Sequence, residues 1–273
     1  VSSDPSMVVS ASPLSGGVDR MASDYKVVSN TFQNCGNTTS GTSWGDETFA
    51  VGIKDAFNVT VSGNHILSQG IDANTGQIFT GTSRNNGVQL LNCRDVSIEG
   101  NQILDLAAST GASRRFIKAG YTEDALVEGD IFLASDVKIS NNLVGVNLNR
   151  DPAATAEIGV EGVAVEVLSD VGSLETAAFR ISSWVISNNN SRSTSAGFLF
   201  VGLGNVSYSG VSIQGNTLVT DPDESQDPGI GFGGASNSGY SEGQSSYSQI
   251  VISGNSIFGF EKGIVFQSSR FEG

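Results

Sequence analysis

Seven times along the chain, two apolar residues separated by one residue, mostly small or polar, run into a bend, and each time the bend ends on asparagine. With that asparagine as position zero, the copies fall at Asn30, Asn64, Asn101, Asn142, Asn189, Asn216 and Asn255, separated by 34, 37, 41, 47, 27 and 39 residues. Five residues upstream stand Tyr25, Val59, Val96, Val137, Trp184, Val211 and Ile250. Three upstream stand Val27, Val61, Ile98, Ile139, Ile186, Ile213 and Ile252. All fourteen are apolar, while Thr60, Ser62, Ser97, Ser140, Ser212 and Ser253 alternate with them, which is the period-two pattern of a strand with one buried face. The residue before the anchor is Gly63, Gly100, Gly215 or Gly254, or else Ser29, Asn141 or Asn188. Glycine and asparagine accept positive φ at least cost, so the pair predicts a tight bend. Two residues beyond it the chain is apolar again at Phe32, Ile66, Ile103, Val144, Leu218 and Ile257, with Ser191 as the exception.

A strand that stops at a fixed bend, resumes apolar and recurs with variable insertions predicts a solenoid of parallel, stacked coils. The asparagines then lie one above another, and their amides bond in a ladder that fixes the register. Asn64, Asn101, Asn142, Asn216 and Asn255 are expected in one internal column. On these residues the chain resembles the right-handed parallel β-helix superfamily of pectate lyases, polygalacturonases and bacteriophage tailspikes, over about residues 25–268. The expected fold class is all-β, a right-handed single-stranded parallel β-helix of about seven to eight coils across residues 25–273. Residues 1–24, rich in Ser, Pro and Gly, read as a lead-in, a cap or a linker. The start without Met and an end partway into a coil read as a piece of a longer protein.

Composition changes this picture little. Thirty-four glycines and a charged fraction of 15% suit many short strands and turns around one elongated core. The net charge of −14 argues against a nucleic-acid partner and against an anionic membrane surface. No apolar run reaches the roughly 20 residues a spanning helix needs, so membrane insertion is not expected. Cys35 and Cys93 sit at different phases of the repeat, which gives no indication of a disulfide. The single histidine, His65, adjoins an anchor and reads as a turn residue. With no histidine or cysteine cluster, neither a metal nor another cofactor is expected.

Candidate chemistry concentrates in the insertions. Arg114, Arg115 and Lys118 place three cations within five positions of an acidic chain, followed by Tyr121. They read either as exposed ion pairs with Glu123, Asp124, Glu128 and Asp130, or as a clamp for a carboxylate or sulfate of a substrate, which arginine's planar fork suits. Arg150 is a further candidate cation, and Trp44 reads as a cap on the core edge or a sugar-stacking platform. If Val163, Val165 and Val167 face the core, Glu166 projects outward, and Glu161 sits at a glycine-marked break. Two carboxylates then stand near one outer face, as glycosidic hydrolysis generally needs. The acidic loop Asp221–Asp227 lacks the ordered spacing of a calcium loop, and Gly229–Gly234 lacks the helix of a phosphate loop. Residues 234–249, with Tyr240 and Tyr247, read as a mobile or partner-contacting loop.

The chain lacks the Asn-Thr-Asp, Asp-Asp and Gly-His-Gly motifs of polygalacturonases and the Trp-Val-Asp-His motif of the main pectate lyases. Within the superfamily it resembles the tailspike group best. That resemblance implies the β-helical body of a protein of the virion tail that binds bacterial surface polysaccharide and depolymerises it through paired carboxylates, Glu161 and Glu166. It also implies a homotrimer. The alternatives are a secreted polysaccharide lyase, with Arg114, Arg115 and Arg150 neutralising a uronate, and a non-catalytic adhesin or structural spike.

Overall fold

The structure is a computed structural model that describes residues 7–10, 22–33, 47–68, 84–106, 113–122, 125, 126, 129, 131–146, 162–170, 177–192, 194–220, 228–233, 245–266, 270 and 271. Among these there is no α-helix. The strand upstream of each asparagine joins its counterparts in one sheet, here sheet II, whose long members are Ala56–Ser62, Arg94–Glu99, Ile131–Ser140, Ala178–Ser187 and Val206–Gln214. The three-residue strand after each asparagine joins sheet III, from Thr31–Gln33 through Gln102–Leu104 to Ser256–Phe258. Sheet I takes a strand of each coil further upstream. It runs in the order Met7–Ser10, Glu47–Lys54, Arg84–Leu91, Ser113–Tyr121, Gly162–Asp170, Ala196–Leu203, Pro228–Phe232 and Lys262–Phe266. Pairing is parallel in all three sheets, between strands of successive coils. The chain is therefore a right-handed parallel β-helix. Sheets I and II begin with Met7–Ser10 and Ala22–Ser23, within the stretch read from sequence as a lead-in.

The bend is left-handed at one residue, and that residue is the one before the asparagine. Ser29, Gly63, Gly100, Asn141, Asn188, Gly215 and Gly254 all have φ between 55° and 66°. This turn carries each asparagine inward, where the column is continuous. Asn101, for example, accepts on Oδ1 from the backbone N–H of Asn64 (3.0 Å) and from its Nδ2 (2.9 Å). Its own Nδ2 donates to Asn142 Oδ1 (3.0 Å) and Val61 O (2.8 Å). The same pattern links Asn30 to Asn64, Asn142 to Asn189, Asn189 to Asn216 and Asn216 to Asn255. From Asn64 to Asn189 each member therefore accepts two bonds and donates two, and Asn216 shares its donors among Ile186 O, Gln214 O and Asn255 Oδ1, which is how a primary amide survives burial. Ser191, the break in the apolar column, is buried and bonded to Thr194 Oγ1 at 2.8 Å.

A second left-handed column lies six residues before the anchors, at Asp24, Asn58, Asp95, Asp136, Ser183, Gly210 and Gln249. It kinks sheet II. Sheet I has a kink of its own, because two successive residues turn inward there: Phe116 and Ile117 both belong to the core, as do Ala50 and Val51, and Ala164 and Val165. Glycines occupy this kink in other coils because the space is closed. A Cβ on Gly197 would lie 2.0 Å from Gly229 O and 2.8 Å from Leu218 Cδ1.

The interior is aliphatic in the early coils and aromatic later. Phe200 stacks on Phe232 with centroids 4.7 Å apart, Phe232 on Phe266 at 5.0 Å, and Tyr208 on Tyr247 at 5.0 Å. Such stacked contacts add stabilisation beyond buried area. Tyr247, expected on a partner-contacting loop, is thus a core residue on the strand Ser246–Ser248.

Candidate functional site

The outer face of sheet I gathers the charged residues singled out in the sequence. Val165 and Val167 point into the core, so Glu166 between them points out. Its neighbour on the preceding coil in direct register is Lys118, and the one before that is Gln89. Arg115 stands outward on the other side of the kink, in register with Asn86 and Val163. Its Nε donates to Glu166 Oε2 and forms an ion pair with it across adjacent coils. The candidate carboxylate and the cationic patch, 51 residues apart in sequence, therefore meet. Asn86 Nδ2 donates to Gln89 Oε1 at 2.8 Å and extends the polar stripe by a further coil.

This stripe is buried. Arg114, Arg115, Lys118 and Glu166 are 5%, 7%, 5% and 5% exposed, and Asn86 and Gln89 are at 0%. The sequence reading of exposed charges is corrected on this point. A charge withdrawn from water needs a partner and further hydrogen bonds to persist, and Arg115 and Glu166 supply each other. The acids considered as partners, Glu123, Asp124, Glu128 and Asp130, lie outside the described residues. Val163 also departs from expectation. It faces outward and packs with Ala196, Leu199 and Val201 in an apolar cluster separate from the core. The outer face of sheet I is thus polar in the coils of Arg84–Leu91 and Ser113–Tyr121, and apolar in the coil of Ala196–Leu203, with Glu166 at the boundary.

Tyr121 is not part of this face. It alternates in phase with Ile117 and Ala119, lies in the core at 2% exposure, and packs against Phe132, Phe179 and Trp184. Its hydroxyl donates to Cys93 O at 3.1 Å, and burial pushes its pKa well above the ordinary phenol value. A stacking role against sugar is therefore excluded for it. Cys93 is a free, buried thiol whose pKa burial pushes up to about 12. Glu161, Arg150, Trp44 and Cys35 lie outside the described residues. His65 is exposed at the start of its sheet III strand and donates its backbone N–H to Asn30 O at 2.8 Å. No group of three or more His, Cys, Asp or Glu among the described residues is arranged to hold a metal ion. No helix of the described residues is long and apolar enough to cross a membrane.

Sequence reasoning missed Asn86 and Gln89. The signal was available: Asn86 and Gln89 occupy the same two positions around the sheet I kink as Arg115 and Lys118. Chemically, the stripe holds one carboxylate paired to a guanidinium, a second cation in register beside it and two primary amides, of Asn86 and Gln89, bonded to each other. No protein-family model, curated protein or solved structure matches the chain.

Proposed function

We propose that this chain is the β-helical body of a tailspike-like protein that binds and depolymerises an acidic bacterial surface polysaccharide on the outer face of sheet I. The observation that supports this is the pairing of Glu166 with Arg115, and the register of Lys118 beside Glu166, outside the hydrophobic core. In this reading Glu166 is the described member of a carboxylate pair, with Glu161 the candidate for the other, and Lys118 stands in direct register beside Glu166. The unit works as a homotrimer in the virion tail or as a secreted protein. A second reading, a non-catalytic structural spike, is favoured by the mutual pairing and burial of Arg115 and Glu166.

One experiment separates these. The protein is incubated with a panel of capsular and O-antigen polysaccharides while reducing ends and the absorbance of unsaturated products are both followed. Hydrolysis raises the first signal alone, and lyase action raises both. A spike or adhesin raises neither, and that outcome rejects the proposal. Glu166→Gln should lower any cleavage by roughly 10²-fold or more, since it removes proton transfer with little change of shape. Light scattering on the same sample reads the oligomer mass.

A further inference from the structure

The geometry points to Arg115 as a positioning residue that sets the direction of Glu166 and does not itself grip substrate. This inference rests on the reading that Glu166 acts on a glycan, and it removes Arg115 from the substrate clamp that the sequence suggested. The Glu166 backbone is fixed already, since Val165 and Val167 on either side are embedded in the core at 1% and 0% exposure. What remains free to vary is the side-chain torsions, and one partner bond is enough to hold them. Arg115 supplies that bond from the next coil, through Nε on Oε2. It does so from a distance. The register partner of Arg115 is Val163, three residues before Glu166, while Lys118 is the cation standing directly beside Glu166.

The kink at Phe116 and Ile117 makes this reach possible. With both residues inward, Arg115 and Lys118 both face out, and the guanidinium runs along the outer face toward the carboxylate. Arginine suits the task because its guanidinium is planar, permanently charged and pre-organised, so less freedom is lost per bond formed. The pair is also closed to water, with side chains 8% and 6% exposed. Withdrawal from water strengthens the attraction that holds the carboxylate's direction. A residue that gripped an acidic sugar would instead have to offer its charge to the ligand, and the charge of Arg115 is directed at Glu166.

The test uses the full chain and whichever panel polysaccharide the wild type cleaves fastest, with rates normalised to the folded fraction. Arg115→Gln should lower kcat by roughly 10²-fold, the scale of a misplacement of about 1 Å, with KM within about twofold of wild type, as expected when only a transition-state interaction is lost. Arg115→Lys, which keeps the charge and a donor, should recover kcat to within roughly 10-fold of wild type by restoring a bond to Glu166. If Arg115→Gln does not fold, Arg115→Lys alone still decides: a raised KM with wild-type kcat would overturn positioning in favour of a grip on substrate. Unchanged kcat and KM in every folded Arg115 variant would also overturn it. Failure of the underlying reading looks different, because the wild type would then cleave nothing or Glu166→Gln would cleave as well as wild type.

Discussion

Replacing Asn101 with leucine tests the stacked column at a fully buried point. Asn101 is at 0% exposure and its side chain takes part in four hydrogen bonds, two accepted from Asn64 and two donated to Val61 O and Asn142 Oδ1. Leucine matches the volume and removes all four. Some partners keep another bond: Asn64 Nδ2 still donates to Val27 O, and Asn142 Oδ1 still accepts the backbone N–H of residue 101. The Asn64 backbone N–H loses its acceptor outright and Val61 O loses a donor. At about 1–3 kcal/mol for each stranded buried group, the substitution should cost about 2–6 kcal/mol, a large share of the 5–15 kcal/mol typical of a whole domain. The control is Asn30→Leu. Asn30 is exposed and, among the described residues, its Oδ1 serves no other coil, so that change should cost under about 1 kcal/mol. Urea unfolding followed by tryptophan fluorescence, with Trp184 fully buried, reads both. Equal midpoints for the two variants would refute the reasoning that the column is a set of obligatory buried bonds.

Three further outcomes are expected. Raising the pH above about 9 should destabilise the protein progressively. The unfolded chain sheds protons from its thiol near 8.5 and its phenols near 10, while burial holds Cys93 and Tyr247 at about 12 and Tyr121 and Tyr208 well above the ordinary value. Stability from these groups is complete below the unfolded values and falls by up to about 1.4 kcal/mol per group per pH unit above them. Tyrosinate absorbance that follows an ordinary phenol titration for all five tyrosines, with the fold intact, would contradict this. Gly197→Ala should cost about 1–3 kcal/mol through its 2.0 Å approach to Gly229 O, and a thermal midpoint equal to wild type would show that the coils can part there. Breaking the buried pair singly, as Arg115→Met or Glu166→Leu, should cost about 3–5 kcal/mol, whereas the double replacement should be near neutral. Additive losses in a double-mutant cycle would argue against the pair.

The part of the fold legible in the sequence is the part that cannot slip. Anchor, bend and the apolar positions at −5, −3 and +2 are locked to one another by the column, so Val61, Asn64 and Ile66 could be aligned with Ile98, Asn101 and Ile103 by eye. Sheet I was harder to read because insertions of variable length separate its strands from the anchors. The kink in sheet II is hidden in the sequence for another reason. Asp24, Asn58, Asp95, Asp136, Ser183, Gly210 and Gln249 share a backbone conformation and no side chain, although most are residues that tolerate positive φ. Tyr121 is masked by its neighbours: the charges of Arg114, Arg115 and Lys118 suggest a surface strand, whereas its alternation with Ile117 and Ala119 places it in the core. The pairing of Arg115 with Glu166 was not legible at all. It depends on which strands become neighbours after a long insertion, and only the register of Ser113–Tyr121 against Gly162–Asp170 supplies that.

The coils stack through the asparagines, and hydrogen exchange of asparagine amides in 15N-asparagine-labelled protein tests this stacking most directly. The backbone and side-chain amides of Asn64, Asn101, Asn142, Asn189 and Asn216 should exchange only through large-scale unfolding, as fully bonded core amides do. The side-chain amides of the exposed Asn141, Asn188 and Asn205 should exchange orders of magnitude faster. Anchor amides that exchange as fast as these three would contradict the stacked column, and with it the register that brings Arg115 to Glu166.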